Sequence, residues 1–95
     1  IMDPKKVVSP KAKVSNVVVI HNDGEFAIAT LQWNKENRIG IRWNGEGENN
    51  LGYPQSRKYP TWFVMPKSVA LAYAYNINNP QLVAAISATS DKPFA

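Results

Sequence analysis

The sequence predicts an α+β domain: a small, strongly twisted antiparallel sheet with two C-terminal helices packed on one face. Three observations carry this reading. Residues 14–43 hold three β-branched and aromatic runs separated by turn-forming residues. A polar stretch rich in Gly, Asn and Pro follows, and a short bulky run, Thr61 to Met65, emerges from it. Beyond Pro66 the apolar spacing changes from strand-like to helical.

A chain of 95 residues suits one domain around one core. Its 44% hydrophobic and 19% charged residues fall in the range of folded chains. No apolar run is long enough to cross a bilayer, so no membrane partner is expected. The first residues lack the apolar stretch of a signal peptide and the chain holds no cysteine, which together suggest a cytoplasmic protein. Residues 1–13 read as a basic, flexible N-terminal arm, 14–90 as a single α+β domain and 91–95 as a loose end. The net charge of +4 is concentrated in the arm, where Lys5, Lys6, Lys11 and Lys13 face only Asp3; the remainder is close to balanced.

Taken in order, Lys6 to Ser9 offers at most an edge strand, because Pro4 and Pro10 bracket it. Val14 to His21 is a firmer strand. Its unbroken run Val17-Val18-Val19-Ile20 predicts burial on both faces and a central position. Asn22-Asp23-Gly24 supplies the positive φ of a tight hairpin, and Glu25 to Trp33 returns antiparallel. The next turn is read over Asn34-Lys35-Glu36-Asn37, with Asn37 as the left-handed residue, and Arg38 to Trp43 completes a three-strand meander. Separating apolar from charged side chains favours pairing Trp33 with Ile39. That register places Leu31, Trp33, Ile39, Ile41 and Trp43 on one face and Arg38, Gly40 and Arg42 on a wet one.

Asn44 to Tyr59 is too long and polar for a tight hairpin, and loops of this kind are functional or mobile. Thr61 to Met65 is the fourth strand. Curling of these short strands into an open barrel is the alternative architecture. Pro66 suits a helix start, and the first helix is predicted to run to about Tyr75 with Val69, Ala72, Tyr73 and Ile77 on one face. Asn79-Pro80 caps a second helix, whose Leu82, Ala85, Ile86 and Thr89 share a face. The expected core comprises Ile20, Leu31, Ile41, Trp43, Phe63 and Leu71.

Little of this sequence reads as catalytic. His21, the single histidine, lies near Asp23 and Glu25 beside a turn, but no nucleophile motif accompanies it, and an exposed turn residue is the plainer reading. Glu46 and Glu48 lack the ligand spacing of a calcium loop. One histidine and no cysteine argue against a zinc site. Gly45-Glu46-Gly47 lacks the third glycine and the following helix of a phosphate loop. The expectation is therefore a non-enzymatic protein with no cofactor and no metal.

One constellation points to binding. Arg38, Arg42, Arg57 and Lys58 are interleaved with Tyr53, Tyr59 and Trp62. Guanidinium forks grip phosphates or carboxylates, and aromatic faces anchor interfaces or accept stacked bases. The competing structural reading has Trp62 filling the core and the arginine stems covering it. The first functional class is an interaction module that binds a protein partner, or itself as a homo-oligomer, through this surface. The second is a single-stranded nucleic-acid binder that adds the lysine-rich arm; the near-neutral body counts against it. In either case the loop from Gly45 to Tyr59 is expected to fold back onto the strand arginines and bring Arg57 and Lys58 beside them.

Overall fold

The computed structural model describes residues 1–94. Strands β1 (Val14–Asn22), β2 (Phe26–Trp33) and β3 (Glu36–Trp43) form an antiparallel meander. A small hairpin, β4 (Gln55–Ser56) and β5 (Tyr59–Pro60), precedes β6 (Phe63–Val64), which pairs with β3. The four-stranded sheet has the order β1-β2-β3-β6 and stays open, so the architecture is α+β without barrel closure. Helices α1 (Lys67–Asn76) and α2 (Pro80–Ser87) complete the fold. No helix among the described residues is long and apolar enough to cross a membrane.

Turn chemistry fixes the register, and it differs from the expected one. Asn34 and Lys35 both adopt left-handed φ, +50° and +69°, so the second hairpin closes through a two-residue turn of the type that matches strand twist. Trp33 therefore pairs with Glu36, and Thr30, not Trp33, pairs with Ile39. This moves Leu31 and Trp33 to the face of Arg38, Gly40 and Arg42. The separation of apolar from charged residues fails because neither face is wet. Both are covered.

One face carries the helices. Ile28 and Ile39 pack against Ala70, Ala74, Leu82 and Ile86, flanked by Ile20, Phe26, Ile41, Met65 and Leu71. The second helix is capped as expected, with Asn79 Oδ1 accepting from the Leu82 N–H at 3.0 Å. The first is rotated from its expected face: Ala70 and Ala74 are buried, while Val69, Ala72 and Ile77 are exposed. Small residues let α1 lie close to its neighbours, and periodicity weighted by hydrophobicity overlooks them.

The opposite face carries Ala27, Ala29 and Leu31, covered by Trp62 and Val7 with Met2, Val17, Val19 and Trp33 around them. Here the flexible-arm expectation fails. Val7 is fully buried, the Met2 N–H donates to the Asn44 carbonyl at 3.0 Å, and Pro4–Lys6 forms a 3-10 turn capped by Asp3. Residues 1–13 are one layer of the domain. At the other end, Arg38 donates to the Lys92 carbonyl at 2.6 Å, and Lys92 Nζ meets Glu36 at 3.1 Å. Phe94 packs on Trp33 with ring centroids 6.0 Å apart. The segment read as a loose end, 91–95, is thus tied down through Phe94; Ala95 lies outside the described residues.

β1, expected at the centre, is an edge strand, and β2 and β3 are the inner strands. Register shifts between Ser15 and Val18 and between Val19 and His21 interrupt the β1–β2 pairing. Such irregularities make an edge a poor template for further strands.

Candidate functional site

The predicted constellation separates into scaffold and surface. Arg42 is 2% exposed. Its guanidinium donates to the carbonyls of Thr61 at 2.5 Å, of Pro54 at 3.4 Å and of Leu51. The planar fork of arginine suits such divergent acceptors. Burial pushes its pKa down, since desolvation disfavours the charged form. The long loop does fold back, as expected, but of the two strand arginines it meets Arg42 alone, through backbone carbonyls. Among the described residues the ion pairs are Lys67–Asp91 and Lys92–Glu36, so neither Glu46 nor Glu48 offsets a strand arginine.

Trp62 is likewise scaffold. It is 4% exposed, and its indole N–H donates to the Val7 carbonyl at 2.8 Å. Its ring lies over Gly40, where an added Cβ would stand 3.0 Å from Cε3. Arg38 holds the C-terminal segment and lies 5.5 Å from the Phe94 ring centroid. These three residues are removed from the candidate interface.

Arg57 and Lys58 form the tip of the β4–β5 hairpin, with φ of +51° and +68°. They do not join the strand arginines. Arg57 lines a groove with Lys11 and Tyr59, and Lys58 a separate cleft with Glu46 and Glu48.

Tyr53 is the predicted residue that leads to a second surface. Trp43 and Tyr53 exchange two backbone hydrogen bonds, N–H to carbonyl, at 2.7 and 3.1 Å. Gly52 makes that approach possible: its φ is +69°, and a Cβ there would collide with the Trp43 carbonyl oxygen. Across β3, Trp43 pairs with Phe26, and one step along, Ile41 pairs with Phe63. Directly paired residues share a face. Phe26, Trp43 and Tyr53 therefore form one row, and Ile28, Ile41 and Phe63 the next.

This is the helix-bearing face, beyond the reach of the helices. Tyr73 of α1 closes against Phe26, with ring centroids 6.0 Å apart. His21 sits between them, 5.1 Å from the Phe26 ring and with Nε2 3.4 Å from the Tyr73 hydroxyl. It is half-buried packing, not the exposed turn residue expected. Asp23 does not orient it; Asp23 Oδ1 accepts from the N–H groups of Glu25 and Phe26 at 2.9 and 3.0 Å. Those two bonds hold its carboxyl below the usual carboxylate range.

Past this aromatic border Trp43, Tyr53 and Phe63 are 56%, 61% and 57% exposed. With Phe26, Ile41 and Pro54 they line an open cleft of about 480 Å³. The one charged lining residue is Arg42, already bonded to three carbonyls. Among the described residues, neither the Trp43 indole N–H nor the Tyr53 hydroxyl bonds another side chain or the backbone. The surface offers aromatic faces, two free donors and no exposed charge.

Phe26, Trp43, Pro54 and Phe63 lie outside the predicted site; Trp43 and Phe63 are expected in the core because each sits on the apolar face of its own strand, yet both are more than half exposed. The two-residue Asn34-Lys35 turn leaves Trp43 on the face of Ile39 and Ile41, as expected; it is exposed because the helices end short of it, and no local signal in the sequence reports that. Comparisons with family models, with curated proteins and with solved structures returned no match.

Proposed function

We propose that this chain is a non-enzymatic interaction module whose aromatic cleft docks an extended, proline-rich segment of a protein partner. The observation that carries the reading is the cross-strand row Phe26–Trp43–Tyr53, of which Trp43 and Tyr53, with Phe63 beside them, stand more than half open to solvent. Soluble domains cover most aromatic area, and contiguous apolar patches mark binding sites. Trp and Tyr are also the residue types that dominate interface energetics.

The chemistry of the cleft selects among occupants. A single strand of nucleic acid needs cations along its path, and this cleft exposes none. A polyproline II segment needs aromatic walls for its rings and donors for its free carbonyls. Trp43 and Tyr53 supply both. The absence of cysteine from the sequence supports the cytoplasm as the compartment of this proposal.

Calorimetric titration with an oligoproline peptide tests it. Saturable binding that Trp43→Ala abolishes, with the melting temperature kept within a few degrees, is the expected result. Light scattering covers the competing occupant. A dimer that dissociates in Trp43→Ala would place a second copy of the chain on the cleft and overturn the peptide assignment.

A further inference from the structure

A second open site lies on the N-terminal layer, away from the aromatic cleft. The turn at Ser9 to Lys11 and the β4–β5 hairpin enclose a groove of about 430 Å³ lined by Ser9, Lys11, Ser56, Arg57, Tyr59 and Thr61. Both cations are exposed, and among the described residues neither makes an ion pair or a side-chain hydrogen bond. Two like charges facing one groove repel each other unless an anion joins them.

The neighbouring groups fit one kind of anion. Three hydroxyl-bearing residues, Ser9, Ser56 and Thr61, line the same groove as the cations, and hydroxyls suit phosphate oxygens. Tyr59 is 65% exposed beside them, an aromatic face on which a base can stack. No carboxylate lines the groove.

Both walls are fixed in advance. The N-terminal wall is tied by Val7 under Trp62 and by the Lys13 and Val14 N–H groups, which donate to the Pro10 carbonyl at 3.0 and 2.9 Å. The hairpin wall is tied by the left-handed pair Arg57-Lys58 and by the Thr61 N–H, which donates to the Pro54 carbonyl at 3.0 Å. A preformed groove avoids the ordering cost that weakens flexible arms. Lys5, Lys6 and Lys13 lie on the same N-terminal segment and extend its positive field.

We propose that this groove binds a nucleoside phosphate, with the phosphate between Lys11 and Arg57 and the base stacked on Tyr59. The same chemistry is presented by a single-stranded nucleic acid and by a free nucleotide. The site shares no residue with the aromatic cleft and stands independently of the peptide reading.

The test is fluorescence anisotropy of the full chain with a labelled oligothymidylate at two salt concentrations, with adenosine monophosphate as competitor. Arg57→Asn removes the charge while keeping a residue that tolerates left-handed φ. Lys11→Gln removes the other charge outside any strand or helix. Each is expected to weaken binding about tenfold and to lower the salt slope by about one. Tyr59→Ser should weaken it without changing the slope, and Trp43→Ala should leave it unchanged. Displacement of the strand by equimolar mononucleotide identifies the free nucleotide as the source; a strand that resists it identifies the polymer. The proposal is overturned if neither probe binds saturably at low salt, or if Arg57→Asn and Lys11→Gln bind as the parent does. If Arg57→Asn fails to fold, Lys11→Gln decides the matter alone.

Discussion

The indole N–H of Trp62 donates to the carbonyl of Val7 at 2.8 Å, joining two residues 55 positions apart. The bond lies in the layer that closes the second face of the sheet, and it makes the N-terminal segment part of the core. Val7→Ala should cost about 1–3 kcal/mol from lost burial. Trp62→Phe should cost about as much again, because it leaves a buried carbonyl without its donor. Urea denaturation checks both. Midpoints equal to the parent's would return the segment to the status of an arm.

Gly40 lies under the same tryptophan. A Cβ there would come within 2.9 Å of Leu31 Cδ2 and 3.0 Å of Trp62 Cε3. Both side chains are buried and have little room to yield, so Gly40→Ala should destabilise by about 1–3 kcal/mol. A melting temperature unchanged by the substitution would show that Trp62 can lift away.

Arg42 organises the long loop through the carbonyls of Leu51, Pro54 and Thr61. Arg42→Lys keeps the charge and loses the fork, so it should leave partly buried acceptors unpaired at a cost of about 1–3 kcal/mol. Limited proteolysis should then cut within residues 45–51 faster than in the parent. Resistance equal to the parent's would mean that the loop holds its shape without the guanidinium.

The hairpin at Asp23 gives the fold an acid-sensitive point. Its carboxyl is held below the usual range chiefly by the Phe26 and Glu25 N–H groups. A carboxyl whose pKa is lower in the folded state than in the unfolded chain contributes stability above the unfolded value and loses it as pH falls through the folded one. The contribution is therefore present at neutral pH and fades below about pH 4. In denaturation midpoints measured from neutral to acid pH, Asp23→Ala should lower the neutral plateau and flatten the acid fall. An acid limb with the parent's slope would assign the loss to other carboxylates.

Much of the architecture was legible in the sequence because it follows local rules. The Asn22-Asp23-Gly24 turn, the Asn79 cap and the strand after the long loop all stand where turn and capping chemistry put them. The β2–β3 register departs from the expected one because it hangs on one turn: closing it with two residues, Asn34-Lys35, rather than four inverts every side chain of one strand relative to the other. The small residues Ala27, Ala29 and Gly40 mark the second covered face, but nothing local says that Trp62 and Val7 cover it. The fate of Arg42 was illegible for the same reason. Its partners are carbonyls of a loop, and backbone acceptors leave no trace in sequence.

The most direct measurement of the proposed interface is a two-dimensional nitrogen–proton spectrum of the three tryptophan indoles during titration with an oligoproline peptide. Trp62 is buried and bonded to Val7, Trp33 lies on the far face, and Trp43 stands open in the cleft. The Trp43 indole signal should move progressively and saturate while those of Trp62 and Trp33 stay in place. An unmoved Trp43 signal at millimolar peptide, or equal movement of all three, would contradict the proposed interface.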